Sequence, residues 1–123
     1  MPRVSTNPMK WDKKSVKGPA KFAIVTIVYI PMLSGYWKNS LDVLKIMFNS
    51  LFDNTEHVFD FYVFDNNSCQ EVQKYLIDMY KTDKINNLFF SNKNIGKVGA
   101  WNKIFASVHS EYVVYTDSDV LFK

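Results

Sequence analysis

Two aspartates near the end of the sequence, Asp117 and Asp119, are separated by Ser118 and follow directly on Tyr112-Val113-Val114-Tyr115-Thr116. The β-branched and aromatic residues ahead of them fit a pleated, covered surface and predict a short buried strand. If extended geometry continues past Thr116, side chains alternate with a period of two and both carboxylates point the same way. Two anions on one side of a strand's carboxyl end repel each other unless a positive charge lies between them. A divalent cation carrying phosphate oxygens meets that need, because hard cations take oxygen ligands, often one or two carboxylates plus substrate phosphates. The alternative is a solvated turn in which Asp and Ser bond local backbone N–H groups. Taken alone, D-x-D favours the turn, so the rest of the sequence must decide.

The upstream elements are those of an α/β domain. The run Phe22 to Tyr29 is almost continuously β-branched or apolar and reads as a central strand buried on both faces. Pro31, Ser34 and Gly35 end it in a loop. Leu41, Leu44, Met47, Phe48 and Leu51 recur at helical spacing from about Lys38 to Phe52, with Asn39 or Ser40 as cap. A second strand, Phe59 to Phe64, runs into the turn-rich Asp65-Asn66-Asn67-Ser68, and Glu71 to Lys81 is a second helix with Val72, Leu76 and Met79 on one face. Asn86 to Phe90 is a third strand, and Ser91 to Val98 a loop. Trp101, Ile104, Phe105 and Val108 mark a third helix before the strand at Tyr112. The order β-α-β-α-β-α-β implies a Rossmann-like parallel sheet with helices on both faces, joined by right-handed crossovers.

Ligands of such sheets bind beyond the carboxyl ends of the strands. Here those ends carry Tyr29, Asp65, the Asn94–Lys97 loop and Asp117 to Asp119. Asp65 offers a carboxylate to a base N–H or a ribose hydroxyl, and equally well caps its own D-N-N-S turn. In Asn94-x-Gly96-x-x-x-Ala100-x-Asn102, Gly96 permits a tight turn, Ala100 a close approach of helix to ligand, and Asn102 a donor and an acceptor. A helix beginning near Val98 presents free N–H groups to phosphate; the plain alternative is an ordinary loop-to-helix junction. The pattern is neither a Walker loop nor G-x-G-x-x-G.

Composition narrows the classes. The 123 residues are 47% hydrophobic and 16% aromatic, enough for a core. A net charge of +3 with scattered lysines gives no basic stripe for nucleic acid, and suits an anionic small ligand or peripheral association with an acidic membrane surface. Cys69 is the only cysteine, which excludes an internal disulfide and a multi-thiolate metal site. The apolar run Phe22 to Leu33 is too short for a membrane span, and the first residues lack a secretory signal's apolar centre. The chain reads as soluble and cytoplasmic. Residues 1–20 read as a flexible tail that Trp11 could anchor, and residues 21–123 as the folded part.

A β-branched first strand, Asp65-Asn66-Asn67-Ser68 after the second, N-x-G-x-x-x-A-x-N at Asn94 to Asn102, and Thr116-Asp117-Ser118-Asp119-Val120 occur in that order. Together they resemble the nucleotide-sugar-binding half of family 2 glycosyltransferases, which have the GT-A fold. The resemblance spans about Lys21 to Phe122. It implies that the loop after the first strand, with Tyr29, borders a nucleobase and that Asp65 binds the base, commonly uracil. Asn94, Gly96 and Asn102 would shape the pocket near ribose and diphosphate. Asp117 would approach ribose or sugar, and Asp119 would ligate Mn²⁺ or Mg²⁺. Lys97 would either assist at the diphosphate or remain solvated. The implied activity is inverting transfer from a nucleoside-diphosphate sugar, a UDP-sugar first, to an acceptor the sequence does not name.

Two departures stand against the pattern. Ile30-Pro31-Met32-Leu33 replaces the polar residues usual after the first strand. The sequence stops four residues after Asp119, so the acceptor half and its carboxylate base are expected beyond Lys123, and no catalytic residue is assigned here. His57 and His109 do not replace that base. A last strand without later neighbours would be an exposed edge open to self-association. A non-catalytic nucleotide-binding module or inactive remnant, and an unrelated doubly wound domain, are the alternatives.

Overall fold

The computed structural model describes residues 20–122. The expected tail, apart from residue 20, and its Trp11 anchor lie outside the described residues, as does Lys123. The elements are β1 (Phe22–Val28), α1 (Ser40–Asn54), β2 (Phe59–Asp65), α2 (Gln70–Lys81), β3 (Asn87–Phe90), α3 (Gly96–Phe105) and β4 (Tyr112–Tyr115), with a single 3-10 turn at Gly35–Trp37. The four strands form one sheet in the order β3-β2-β1-β4. Every pairing is parallel: Phe22 opposite Phe59 and Tyr112, and Tyr62 opposite Asn87. The expected α/β architecture with a central first strand is the one observed.

Strand order decides which face each helix covers. Steps from β1 to β2 and from β2 to β3 run in one direction, so right-handed crossovers put α1 and α2 on the same face. The step to β4 runs back past β1, so α3 falls on the other. The packing follows. Ile24, Val28, Phe61 and Val63 meet Leu44, Met47, Phe48 and Leu51 of α1 and Val72 and Leu76 of α2. Ala23, Val25, Tyr62 and Phe64 meet Ala100 and Ile104 of α3. Phe48 and Phe61, both fully buried, stand edge to face at 5.1 Å between centroids. Burying a side chain of this size is worth roughly 1.5–3 kcal/mol, and the α1–α2 face holds the larger of the two buried clusters.

Four departures from the sequence expectation bear on the site. Helix α3 starts at Gly96 rather than near Val98, because the Asn94 side chain takes the Gly96 N–H at 2.8 Å and turns the chain early. Ala100 is fully buried against β1 and β2, so its small size serves sheet packing and not the approach of a ligand. The last strand stops at Tyr115. The Thr116 N–H still bonds the Val25 carbonyl at 3.0 Å, but the Thr116 carbonyl is taken by the hydroxyl of buried Thr26 at 2.8 Å. A side chain thus ends the ladder, and Asp117 to Asp119 lie in a turn rather than in continued extended geometry. The strand expected to be buried is also largely uncovered: among the described residues β4 pairs only with β1, leaving Tyr112, Val113 and Val114 41–51% exposed. No helix among the described residues is long and apolar enough to cross a membrane.

Candidate functional site at the strand-order switch

All four strands are parallel, so their carboxyl ends share one rim, and strand order reverses there between β1 and β4. An open cleft of about 450 Å³ lies at this point, within the size range of small-molecule sites. It is lined by Ile27 and Tyr29 from the end of β1, Trp37, Asn66, the Asn94–Gly96–Lys97 corner, and Tyr115 with Asp117, Ser118 and Asp119. Five residues singled out from sequence, Tyr29, Asn94, Gly96, Asp117 and Asp119, therefore border one space.

The corner is built by Asn66. Its backbone N–H extends the β1–β2 ladder to the Val28 carbonyl at 2.8 Å. Its side chain accepts the Ile95 N–H at 2.8 Å and donates to the Gly96 carbonyl at 3.3 Å. Gly96 adopts φ +79°, a left-handed conformation that side chains rarely take, although a Cβ there would meet nothing within 4 Å. It is backbone conformation, not space, that calls for glycine. Ile95 at the cap position makes no side-chain bond, Asn94 takes the Gly96 N–H, and no acidic residue lies in the first turn of α3. The N–H groups that follow Gly96 in this first turn lack intrahelical acceptors, and Gly96 and Lys97 line the cleft.

The aspartate turn is held from two sides. Thr26 anchors Thr116, and beyond the turn Phe122 bonds α1: its N–H to the Ser50 hydroxyl and its carbonyl to the Asn54 amide, both at 3.0 Å. The two carboxylates then differ. Asp117 Oδ1 accepts the Tyr115 hydroxyl at 2.9 Å and lies 3.5 Å from the Lys97 ammonium. Asp119 is exposed, with no partner among the described residues. The Tyr115 hydroxyl, and then the charge of Asp117, push the Lys97 ammonium upward. Burial, with the bond to Asp117, pushes the Tyr115 phenol up as well.

Asp65 and Asn102 do not reach the cleft. Side chains alternate along β2, so Asp65 shares the α1–α2 face with Phe61 and Val63 while Asn66 turns to the α3 face. The Asp65 Oδ2 accepts the Ser68 N–H at 3.0 Å and the Gln73 amide at 3.4 Å. Its Oδ1 has no partner among the described residues, and the residue is inaccessible to solvent. Desolvation raises its pKa, against the lowering effect of the Ser68 and Gln73 bonds. This is the turn-capping geometry weighed as one of its two readings. Asn102 is exposed on α3, six residues beyond Gly96 and outside the cleft lining.

Three lining or supporting residues escaped the sequence reading. Asn66 was part of the turn cluster without a role of its own. Trp37 stands edge-on to Tyr29 at 5.6 Å in the unanticipated 3-10 turn. Thr26 looked like one more β-branched residue of a buried strand. The only signals were a glycine followed by two aromatics before a helix, and a hydroxyl in an apolar run.

The model of the family described as Glycosyl transferase family 2 matches residues 36–123, and the chain belongs to that family. No curated protein matches it in sequence. Several solved structures share its fold. The structure of S. aureus TarS residues 1–349 aligns with a TM-score of 0.62 at 22% identity, covering 80% of this chain and 27% of that one. The same protein with UDP-GlcNAc aligns at 0.63 and 21%, covering 80% and 26%. The mannosyltransferase PcManGT from Pyrobaculum calidifontis, in complex with GDP-Man and Mn²⁺, aligns at 0.66 and 17%, covering 96% and 30%. The chain thus spans less than a third of the length of these structures.

Proposed function

We propose that this chain captures the donor for a glycosyltransferase, binding a nucleoside-diphosphate sugar in the cleft between β1 and β4 for transfer with inversion once an acceptor is engaged. The observation that carries this is the exposed carboxylate of Asp119, without a partner among the described residues, bordering the same cleft as the first turn of α3 at the strand-order switch. The crystallised relatives with UDP-GlcNAc or GDP-Man support the class of ligand, with uridine the first base to test.

The residues fit a divalent cation of a particular kind. Among the described residues no three His, Cys, Asp or Glu side chains gather to form a cage. One open carboxylate suits Mg²⁺ or Mn²⁺, which keep water and phosphate oxygens and take one or two protein carboxylates. Asp119 would hold the ion, which when bound neutralises charge on the departing diphosphate. The chain's own part is positioning. Asn66 fixes the Asn94–Lys97 corner so that the first turn of α3 offers N–H groups to phosphate. Tyr29 and Trp37 give the cleft an aromatic wall for base or ribose, and Asp117 stands where a sugar hydroxyl could bond it. Asp65 acts from beneath, holding the turn that carries Asn66.

Calorimetric titration with uridine and guanosine diphosphates, with Mn²⁺ or with chelator, tests this. Binding strengthened by Mn²⁺ in the wild type, with that strengthening lost in Asp119→Ala, is the expected result. Failure of both nucleotides to bind the folded wild-type chain under either condition overturns the reading.

A further inference from the structure

We infer that Lys97 is the cleft's own counter-cation, held by Asp117 in the free chain and passed to the diphosphate when a donor binds, so that it competes with a divalent cation for Asp117. The inference rests on the donor-site reading and names a residue that reading leaves unused.

The placement of Lys97 is unusual for a helix. It is the second residue of α3, at the end where the macrodipole is positive and a cation is disfavoured. No acidic residue of the first turn offsets it. Its compensation comes from across the cleft: the ammonium lies 3.5 Å from Asp117 Oδ1 and 5.3 Å from the Tyr115 ring centroid. The same Oδ1 already accepts the Tyr115 hydroxyl. Of the two carboxylates in the D-x-D turn, Asp117 is therefore neutralised by the protein and Asp119 is left open.

That pair is also easy to exchange. Both side chains are more than half exposed, at 62% and 57%, so water screens their attraction and little is lost when it breaks. The lysine stem is flexible, and its compact ammonium moves from one oxygen to another with no change of backbone. A diphosphate at the α3 N-terminus carries more negative charge than a single carboxylate and would draw the ammonium over. Asp117, released, then becomes available to a ribose or sugar hydroxyl or to the metal. Two consequences follow. Nucleoside diphosphate retains a metal-independent part of its affinity, and Lys97 supplies it. A divalent cation binding the free chain must contend with Lys97.

The test uses the full chain and two probes: uridine diphosphate in the presence of chelator, followed by calorimetry, and Mn²⁺ alone, followed by the electron paramagnetic resonance signal of the free ion. Lys97→Gln should weaken chelator-phase uridine diphosphate binding by roughly tenfold or more, the loss of one charge-assisted contact. Lys97→Arg should restore most of it. Lys97→Gln should also bind Mn²⁺ several-fold more tightly than wild type. Thermal melts should differ little, because the side chain is exposed and its pairing with Asp117 is screened by water. If Lys97→Gln matches wild type in either arm while wild type binds uridine diphosphate with Mn²⁺, the role assigned to Lys97 is wrong and the donor site stands. If neither uridine nor guanosine diphosphate binds wild type at all, both fall.

Discussion

The cleft depends most heavily on a residue that touches no strand partner through its side chain. Asn66 is 3% exposed and makes both ends of its amide count, taking the Ile95 N–H at 2.8 Å and giving to the Gly96 carbonyl at 3.3 Å. In Asn66→Ala both bonds go, and the Ile95 N–H is left without its acceptor. A net hydrogen bond is worth about 0.5–1.5 kcal/mol, and stranding a buried donor adds about 1–3 kcal/mol. The shorter bond should dominate, and partial access of water to a half-buried Ile95 should trim the penalty. The expected cost is about 2 kcal/mol, which lowers Tm by roughly 8–16 °C in a domain of ~100 residues. Urea unfolding measures the cost, and amide hydrogen exchange at Ile95 locates it. In Asn66→Asp, by contrast, the acceptor remains, so Ile95 should stay protected. The donor to Gly96 is lost, and a negative charge beside the phosphate corner should weaken nucleoside diphosphate binding beyond the loss of stability. An Asn66→Ala chain within about 0.5 kcal/mol of wild type, with its Ile95 amide still slow to exchange, would refute the claim that this side chain builds the corner.

Two further expectations concern residues beneath the cleft. Burial raises the Asp65 pKa above its unfolded value, so the folded state binds the proton more tightly. The stability this provides is fully present below the unfolded pKa and is lost as pH rises through the raised folded value. Asp65→Asn keeps an acceptor for the Ser68 N–H and carries no charge. It should therefore gain on wild type in urea stability as pH rises from below the ordinary carboxyl range through the raised folded value, and a difference that stays flat or narrows with rising pH would contradict this. Thr26→Val preserves shape but removes the hydroxyl bonded to the Thr116 carbonyl. It should cost about 1 kcal/mol and also weaken Mn²⁺-dependent nucleotide binding; unchanged binding at reduced stability would show that Thr26 supports the sheet and not the aspartate turn.

The fold was legible because β1 and β2 are covered on both faces, so their residues are apolar without alternation and the elements between them show a clean helical period. The rim was legible for the same reason, since parallel strands put all their carboxyl ends together. What could not be read was which side of the rim each residue faces. Asp65 and Asn66 are adjacent and both polar, yet one seats on α2 and the other on the α3 corner. Parity along β2 separates them, Asp65 with Phe61 and Val63, Asn66 with Tyr62 and Phe64. Parity becomes a statement about the site only when the strand order is known. A sheet continuing past β3 would have put α3 on the same face as α1 and α2, and Asp65 on the ligand side. The reversal to β4 exchanges them.

That exchange explains the division of labour in the polar cluster after β2. Asn66 faces the helix whose first turn borders the cleft, so an amide with one acceptor and one donor there satisfies two backbone groups at once. Asp65 faces α2, where a carboxylate accepts the Ser68 N–H and the Gln73 amide and fixes the turn from behind. The Ser68 hydroxyl in turn takes the Ile30 N–H at 2.9 Å, tying the loop after β1 to the same turn. The loop that carries Tyr29 and the corner that carries Lys97 are therefore both pinned to one four-residue turn. A change that loosens Asp65 should move both walls of the cleft together, whereas a change at Asn66 should move only the α3 wall.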